Sequence, residues 1–178
     1  GLVSNARAAL SEALDAARSE GHRLEEGEIS LRLARCDLLV DDLDGARSAI
    51  RSAIAAYRTR QADDLVREAE IVRWRIDVAA GHDLPTVVTA LAQHNDGATG
   101  ATRAEREALR LEAEARLLLG DIEGAERRLR SLADDSPDTL ASMLHETLIR
   151  ARLDRAHGHE ARGAERMACL TDAADTTP

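Results

Sequence analysis

Lysine and phenylalanine are absent from this sequence of 178 residues, and Tyr57 and Trp74 are its only aromatic side chains. Only three prolines occur, at Pro85, Pro137 and Pro178, so no helix-breaking residue interrupts the first 84 positions. The apolar fraction, 44%, consists mainly of alanine, leucine, isoleucine and valine. This composition favours helices and argues against an all-β fold.

Cysteine is equally scarce, with Cys36 and Cys169 far apart in apolar helical stretches. That placement predicts two buried free thiols rather than a disulfide framework. No apolar run approaches the roughly 18 residues of a membrane span, and no signal peptide opens the chain. We therefore expect a cytoplasmic protein. Because the sequence begins with Gly1 instead of methionine, we also expect it to be a segment of a longer protein.

The charge is strongly negative. All 24 basic residues are arginines, and the formal net charge is -9. Nucleic acids and anionic membranes attract positive surfaces, so neither is expected as a partner.

Apolar residues recur at helical spacing along most of the chain. The pattern predicts an all-α fold of about nine helices. Its elements are a leading helix at 4–20 and helix pairs at about 24–59, 62–94, 101–134 and 136–172. In the leading helix the recurring residues are Ala6, Leu10, Leu14 and Ala17, and in the next they are Ile29, Leu33, Cys36 and Val40.

One short join between helices occurs more than once. Residues 40–46 read Val-Asp-Asp-Leu-Asp-Gly-Ala, residues 119–125 read Leu-Gly-Asp-Ile-Glu-Gly-Ala, and weaker copies lie at 81–85 and 158–163. If Ala46, Val87, Ala125 and Gly163 are equivalent, the repeat spacings are 41, 38 and 38 residues. Periods of this size predict a solenoid of helix pairs.

The third join resembles the tetratricopeptide (TPR) family, because Gly120, Asp121, Ala125 and Pro137 match the spacing of its turn, small residue and closing proline. The first pair differs by having Asp41 in place of the turn glycine. The resemblance implies a right-handed superhelical solenoid of antiparallel helix pairs, forming one domain over 1–178 that binds a protein or peptide. The repeats are also similar to those of actinobacterial CHAT-domain proteins and large multidomain transcriptional regulators, which implies a bacterial signalling or effector role.

In such a solenoid the first helix of each pair lines the concave groove. Counting back from the joins places Arg35, Arg75, Glu114 and Arg152 at one equivalent position, and Leu31, Ile71 and Leu148 one helical turn earlier. These seven residues are the predicted partner-binding groove, suited to an acidic or amphipathic segment because arginine binds carboxylates bidentately. The alternative is that the arginines pair with Glu28, Glu68, Glu112 or Glu114 and only solubilise the surface.

Residues for catalysis are not evident, and we expect neither enzyme activity nor a cofactor. His145, His157, His159 and Glu160 are zinc-ligand types, but Ile149 stands where a zinc-protease helix needs its second histidine. No nucleophile elbow or Gly-Lys-Ser/Thr loop is present. Glu25–Glu26 and Asp134–Asp135 are expected to be solvated, and Trp74 to pack between helices. An architectural or oligomerising role without a peptide ligand remains the alternative function.

Overall fold

The computed structural model describes residues 1–98, 100, 102–132 and 139–175, apart from the side chains at 140 and 170–175, and within these residues the chain forms helices and no strand. The all-α prediction is confirmed. The helices are α1 (Leu2–Glu20), α2 (Arg23–Leu39), α3 (Leu43–Thr59), α4 (Asp63–Ala79), α5 (Leu84–His94), α6 (Arg103–Leu118), α7 (Ile122–Ser131), α8 (Leu140–Ala156) and α9 (Glu160–Asp175). Pro137, Asp134, Asp135 and the predicted start of the last pair at 136 lie outside the described residues.

The helices belong to two compact units, residues 1–82 (unit 1) and 83–178 (unit 2). In unit 1, α2 packs against α1, α3 and α4, and α3 also packs against α4. In unit 2, α6 packs against α5, α7 and α8, and α8 also packs against α7 and α9. Below, α2, α4, α6 and α8 are called the first helices, because each precedes a join. The single superhelical domain stays a prediction.

The four joins share one backbone pattern. At the residues predicted to be equivalent, Ala46, Val87, Ala125 and Gly163, the side chain or Cα is buried. Their amides donate to the carbonyl oxygens four residues earlier, over 2.9, 3.1, 3.0 and 3.1 Å. The small residues Ala46, Ala125 and Gly163 let α3, α7 and α9 approach the preceding first helix closely. Counted from the carbonyl acceptor of each join, the predicted equivalence holds for Ala46, Ala125 and Gly163, whereas the second join has one more residue before Val87.

Two joins also share their helix cap. The Asp42 carboxylate accepts a hydrogen bond from the Gly45 amide at 3.0 Å, and the Asp121 carboxylate accepts one from the Gly124 amide at 2.9 Å. A Cβ atom at Gly45 would lie 2.7 Å from the Asp42 carboxylate, and one at Gly124 would collide with Asp121 in the same way. In the Asp-x-x-Gly spacing, the aspartate is therefore the helix N-cap, and the glycine leaves room for the aspartate carboxylate.

Two expectations about burial are wrong. Cys169 is exposed, and among the described helices α9 packs against α8 alone. Cys36 on α2 is only half-buried, and Val40, which caps the end of α2, is exposed. The deeply buried stripe of α2 instead contains, besides Leu31, small or polar residues, namely Glu26, Gly27, Ser30, Ala34 and Asp37. Three neighbouring helices approach α2, and close approach selects for size more than for hydrophobicity.

Candidate functional site

The predicted groove position has the same location on every first helix. In each first helix, the predicted groove residue is followed two positions later by a residue whose carbonyl oxygen accepts a hydrogen bond from a backbone amide of the next join. These acceptors are Asp37, Asp77, Arg116 and Asp154, at 2.9, 2.9, 2.9 and 2.8 Å from the donor nitrogens. Arg35, Arg75, Glu114 and Arg152 are therefore structurally equivalent within their own helices.

In unit 1 the Arg35 side chain bridges two first helices. Its Nη2 atom lies 2.8 Å from Oε1 of Glu68 on α4, and the two side chains are 48% and 47% exposed. Ion pairs this open contribute at most about 1 kcal/mol. Arg75 is half-buried and also interacts with other groups of the protein.

In unit 2 the equivalent residue is an acid. Glu114 on α6 lies 2.8 Å from Nε2 of His145 and accepts a hydrogen bond from Arg152 at 3.0 Å, both on α8. Burial acts to raise the pKa of Glu114, but the hydrogen bonds and charges of His145 and Arg152 outweigh it and lower that pKa. The alternative that Arg35 and Arg152 pair with glutamates of the chain is therefore what the structure shows.

The two contacts are related by an exchange of charge. Glu68 lies nine residues before Asp77, and His145 lies nine residues before Asp154, so they occupy the same position on the first helices α4 and α8. Arg35 with Glu68 and Glu114 with His145 are thus the same contact with acid and base interchanged. Both units therefore keep an acid–base contact between first helices at this position. The acid and the base have exchanged helices.

A second charged cluster lies beside this contact and was missed by the sequence analysis. Arg110 on α6, with a side chain only 3% exposed, places Nε 3.2 Å from Glu146 on α8. Arg150 donates to the same carboxylate at 2.8 Å. Burial acts to raise the pKa of Glu146, but Arg150 and Arg110 outweigh it and the pKa is lowered. Counting six residues back from Arg116, as for Leu31 from Asp37, would have found Arg110 at the predicted apolar position of the third pair.

The predicted apolar residues offer little surface. Leu31 and Ile71 are each 4% exposed, and Leu31 belongs to the unit 1 core. Leu148 is half-buried. The position points between helices because the first helices pack against one another as well as against the second helices. Charged side chains therefore form most of what a partner would contact.

Trp74 is 5% exposed, and the Arg73 guanidinium lies 5.7 Å from its ring centroid. This burial agrees with the prediction that Trp74 packs between helices. A buried indole leaves little area for an interface contact.

The histidines considered as zinc ligands contact different residues. His145 lies against Glu114, whereas His157 lies 2.9 Å from Glu126 on α7. The His157 and His159 rings are 6.3 Å apart, centroid to centroid. Among the residues that the structure describes, no three His, Cys, Asp or Glu side chains are grouped to hold a metal ion.

None of the described helices has the length and apolar character needed to cross a membrane. No family model, curated protein or solved structure matches this chain. The resemblance to TPR repeats therefore stays a prediction that depends on the joins alone.

Proposed function

We propose that this chain is a helical-repeat scaffold that binds a segment of another protein through the charged side chains of its first helices. The observation that carries the proposal is that Arg35 and Arg152 occupy the same position on their first helices and that both side chains are exposed. Both arginine side chains are nearly half exposed, and each pairs with one carboxylate. The resemblance to bacterial repeat proteins supports a recruiting role within a larger signalling or effector protein.

The chemistry favours an acidic segment. Opening the exposed pair of Arg35 and Glu68 costs at most about 1 kcal/mol, and a ligand carboxylate can take over the arginine fork. In unit 2 the exchange is favoured further, because Glu114 keeps His145 as a partner when Arg152 turns to the ligand.

The test is selection of peptides from a phage-displayed random library on immobilised protein. The wild-type chain is compared with the triple variant Arg35→Glu, Arg75→Glu and Arg152→Glu. We expect the wild type to enrich peptides rich in aspartate and glutamate, and the triple variant to lose them. The matched control is Arg51→Glu with Arg127→Glu, which reverses exposed arginines on α3 and α7. Equal enrichment by wild type and triple variant would exclude these arginines as the binding site.

A further inference from the structure

The outer face of α1 is an apolar strip without a covering helix. Leu2 is 90% exposed, the highest value of any large hydrophobic residue described. Along the same side, all the alanines are exposed as well, at Ala6, Ala9, Ala13 and Ala16. Within unit 1, which is described completely, α1 packs only against α2.

Helix α3 carries the same alanine strip as α1, but in α3 the strip is buried. The two helices end in the same turn, with the His22 amide donating to Ala17 at 2.9 Å and the Ala62 amide donating to Tyr57 at 3.1 Å. Residues of α1 therefore correspond to residues of α3 that are 40 positions later. The four alanines of the strip correspond to four alanines of α3, which are 0%, 8%, 0% and 6% exposed: Ala46, Ala49, Ala53 and Ala56.

The opposite faces of α1 and α3 correspond as well. Arg7 on α1 pairs with Asp37 on α2 at 2.6 Å, and the equivalent Arg47 on α3 pairs with Asp77 on α4 at 3.8 Å. This arginine face of α3 therefore contacts the following first helix, α4. Since α3 packs against α2 and α4 and no other helix of unit 1, its alanine face is the one that α2 covers. Leu31 and Ala34 of α2 share the core cluster with Ala46, Ala49 and Ala53.

We propose that the outer face of α1, Leu2 with Ala6, Ala9, Ala13 and Ala16, binds an amphipathic helix of a partner protein whose inner face is like that of α2. The partner helix carries small and aliphatic residues at i, i+3 or i+4, and i+7, as α2 does at Gly27, Leu31 and Ala34. Alanines on one side and small residues on the other allow the close helix approach seen between α2 and α3. This interaction is independent of the arginine positions in the proposed function.

A second copy of the chain fits this face less well. Helix α2, whose inner face has the required shape, already has that face buried against α3 in its own unit. Offering it to another copy would require opening unit 1. The same register argument that defines the shape of the bound helix therefore disfavours a second copy as its source.

The first experiment uses a peptide of residues 22–40, the sequence of α2, stapled across its exposed positions 28 and 32 so that it is helical in isolation. Its binding to the full chain is followed by fluorescence anisotropy. We expect saturable binding that weakens by about tenfold or more in Ala9→Glu with Ala13→Glu, because two carboxylates would be buried without partners. Ala8→Glu with Ser11→Glu, on the far side of α1, is the control and should bind like the wild type. Because all four positions are exposed, the variants should retain the wild-type circular dichroism.

A linked version detects weak affinity. A copy of residues 22–41 placed directly before Leu2 reproduces the spacing between α2 and α3, and the link raises the effective concentration of the helix. We expect this chain to melt at a higher temperature than the wild type, and the gain to vanish in Ala9→Glu with Ala13→Glu. No gain and no saturable peptide binding would overturn the proposal. So would sedimentation of the wild type as a dimer that the same two substitutions dissociate, because the face would then bind a second copy.

Discussion

Three turn residues adopt left-handed backbone conformations without being glycine, at Asp41, Gln61 and Asp83. The turn position after α6 that is equivalent to Asp41 and Gln61 has Gly120, with φ of 79° and open space at the point where a Cβ atom would lie. A side chain in this region costs about 1–2 kcal/mol, partly offset by the greater freedom of glycine in the unfolded chain. The choice between glycine and another residue at these turns therefore changes the free energy of unfolding through the backbone conformation alone.

We predict that Gln61→Gly raises the free energy of unfolding by about 0.5 kcal/mol and that Gly120→Ala lowers it by about 1 kcal/mol. Urea denaturation measures both. The control is Arg60→Gly at the neighbouring residue, where φ is -104° and glycine brings only its entropic cost. If Gln61→Gly and Arg60→Gly both stabilised the protein, or if neither did, the explanation from backbone conformation would be wrong.

A single glycine sets the distance between α2 and α3. A Cβ atom at Gly27 would lie 2.5 Å from Cε1 of Tyr57, whose ring is 1% exposed and so has no room to move. Alanine in a helix gains up to about 1 kcal/mol over glycine, but overpacking a rigid core costs about 1–3 kcal/mol. The clash should outweigh the helix propensity.

We predict that Gly27→Ala destabilises the protein by about 1–2 kcal/mol. Combining it with Tyr57→Leu should cost less than the sum of the two single changes, because the smaller side chain makes room for the methyl group. A double-mutant cycle in urea measures this coupling. Strict additivity would show that the two residues do not meet.

At the scale of helices, a buried carboxylate joins three elements of unit 2. Glu112 on α6 is fully buried and accepts hydrogen bonds from Asn95 at the end of α5 at 2.9 Å, from Arg116 at 2.9 Å and from Arg128 on α7 at 2.8 Å. Arg116 also donates to the Asp121 cap at 2.7 Å. The network thus connects the packing of α6 to the turn that starts α7.

We predict that Glu112→Gln destabilises the protein by about 3 kcal/mol, because two arginines lose a buried counter-charge. Glu126→Gln is the control: it removes a partly exposed carboxylate that pairs with Arg130 and His157, and should cost less than about 1 kcal/mol. Thermal and urea denaturation of both variants test the difference. Equal costs would mean that the Glu112 network does not hold the helices together.

The helices and joins could be predicted because their signals are local. An aspartate cap, a glycine three residues later and a small residue after it all act within one turn, so Asp42 and Asp121 could be located from the sequence. Positions on the first helices could also be aligned. Glu68 and Glu114 were among several possible partners of the arginines, but the sequence could not choose between them, and it missed the contact of Arg110 with Glu146, which is 36 residues away. Pairing over such separations depends on how helices pack, which periodicity does not specify.

At the scale of the whole molecule, acid should weaken the fold. Carboxylates whose pKa is lowered by folding, such as Glu114 and Glu146, stabilise the protein above their ordinary pKa of about 4.3, and this contribution is lost as pH falls through the lowered values. Asp37 acts oppositely, since burial raises its pKa and outweighs Arg7. As the carboxylates become neutral, 24 arginines remain charged, and their repulsion adds to the loss.

We therefore predict that the urea midpoint falls steeply between about pH 5 and pH 3. Glu114→Gln with Glu146→Gln should lower the midpoint at pH 7, because Arg152, Arg110 and Arg150 lose their counter-charges. Its further fall on acidification should be smaller than that of the wild type, since two of the groups that respond to acid are gone. Glu123→Gln with Glu165→Gln, at exposed positions, is the control and should follow the wild type. If the double variant at Glu114 and Glu146 lost as much stability as the wild type between these pH values, the contacts between α6 and α8 would not be the acid-sensitive part of unit 2.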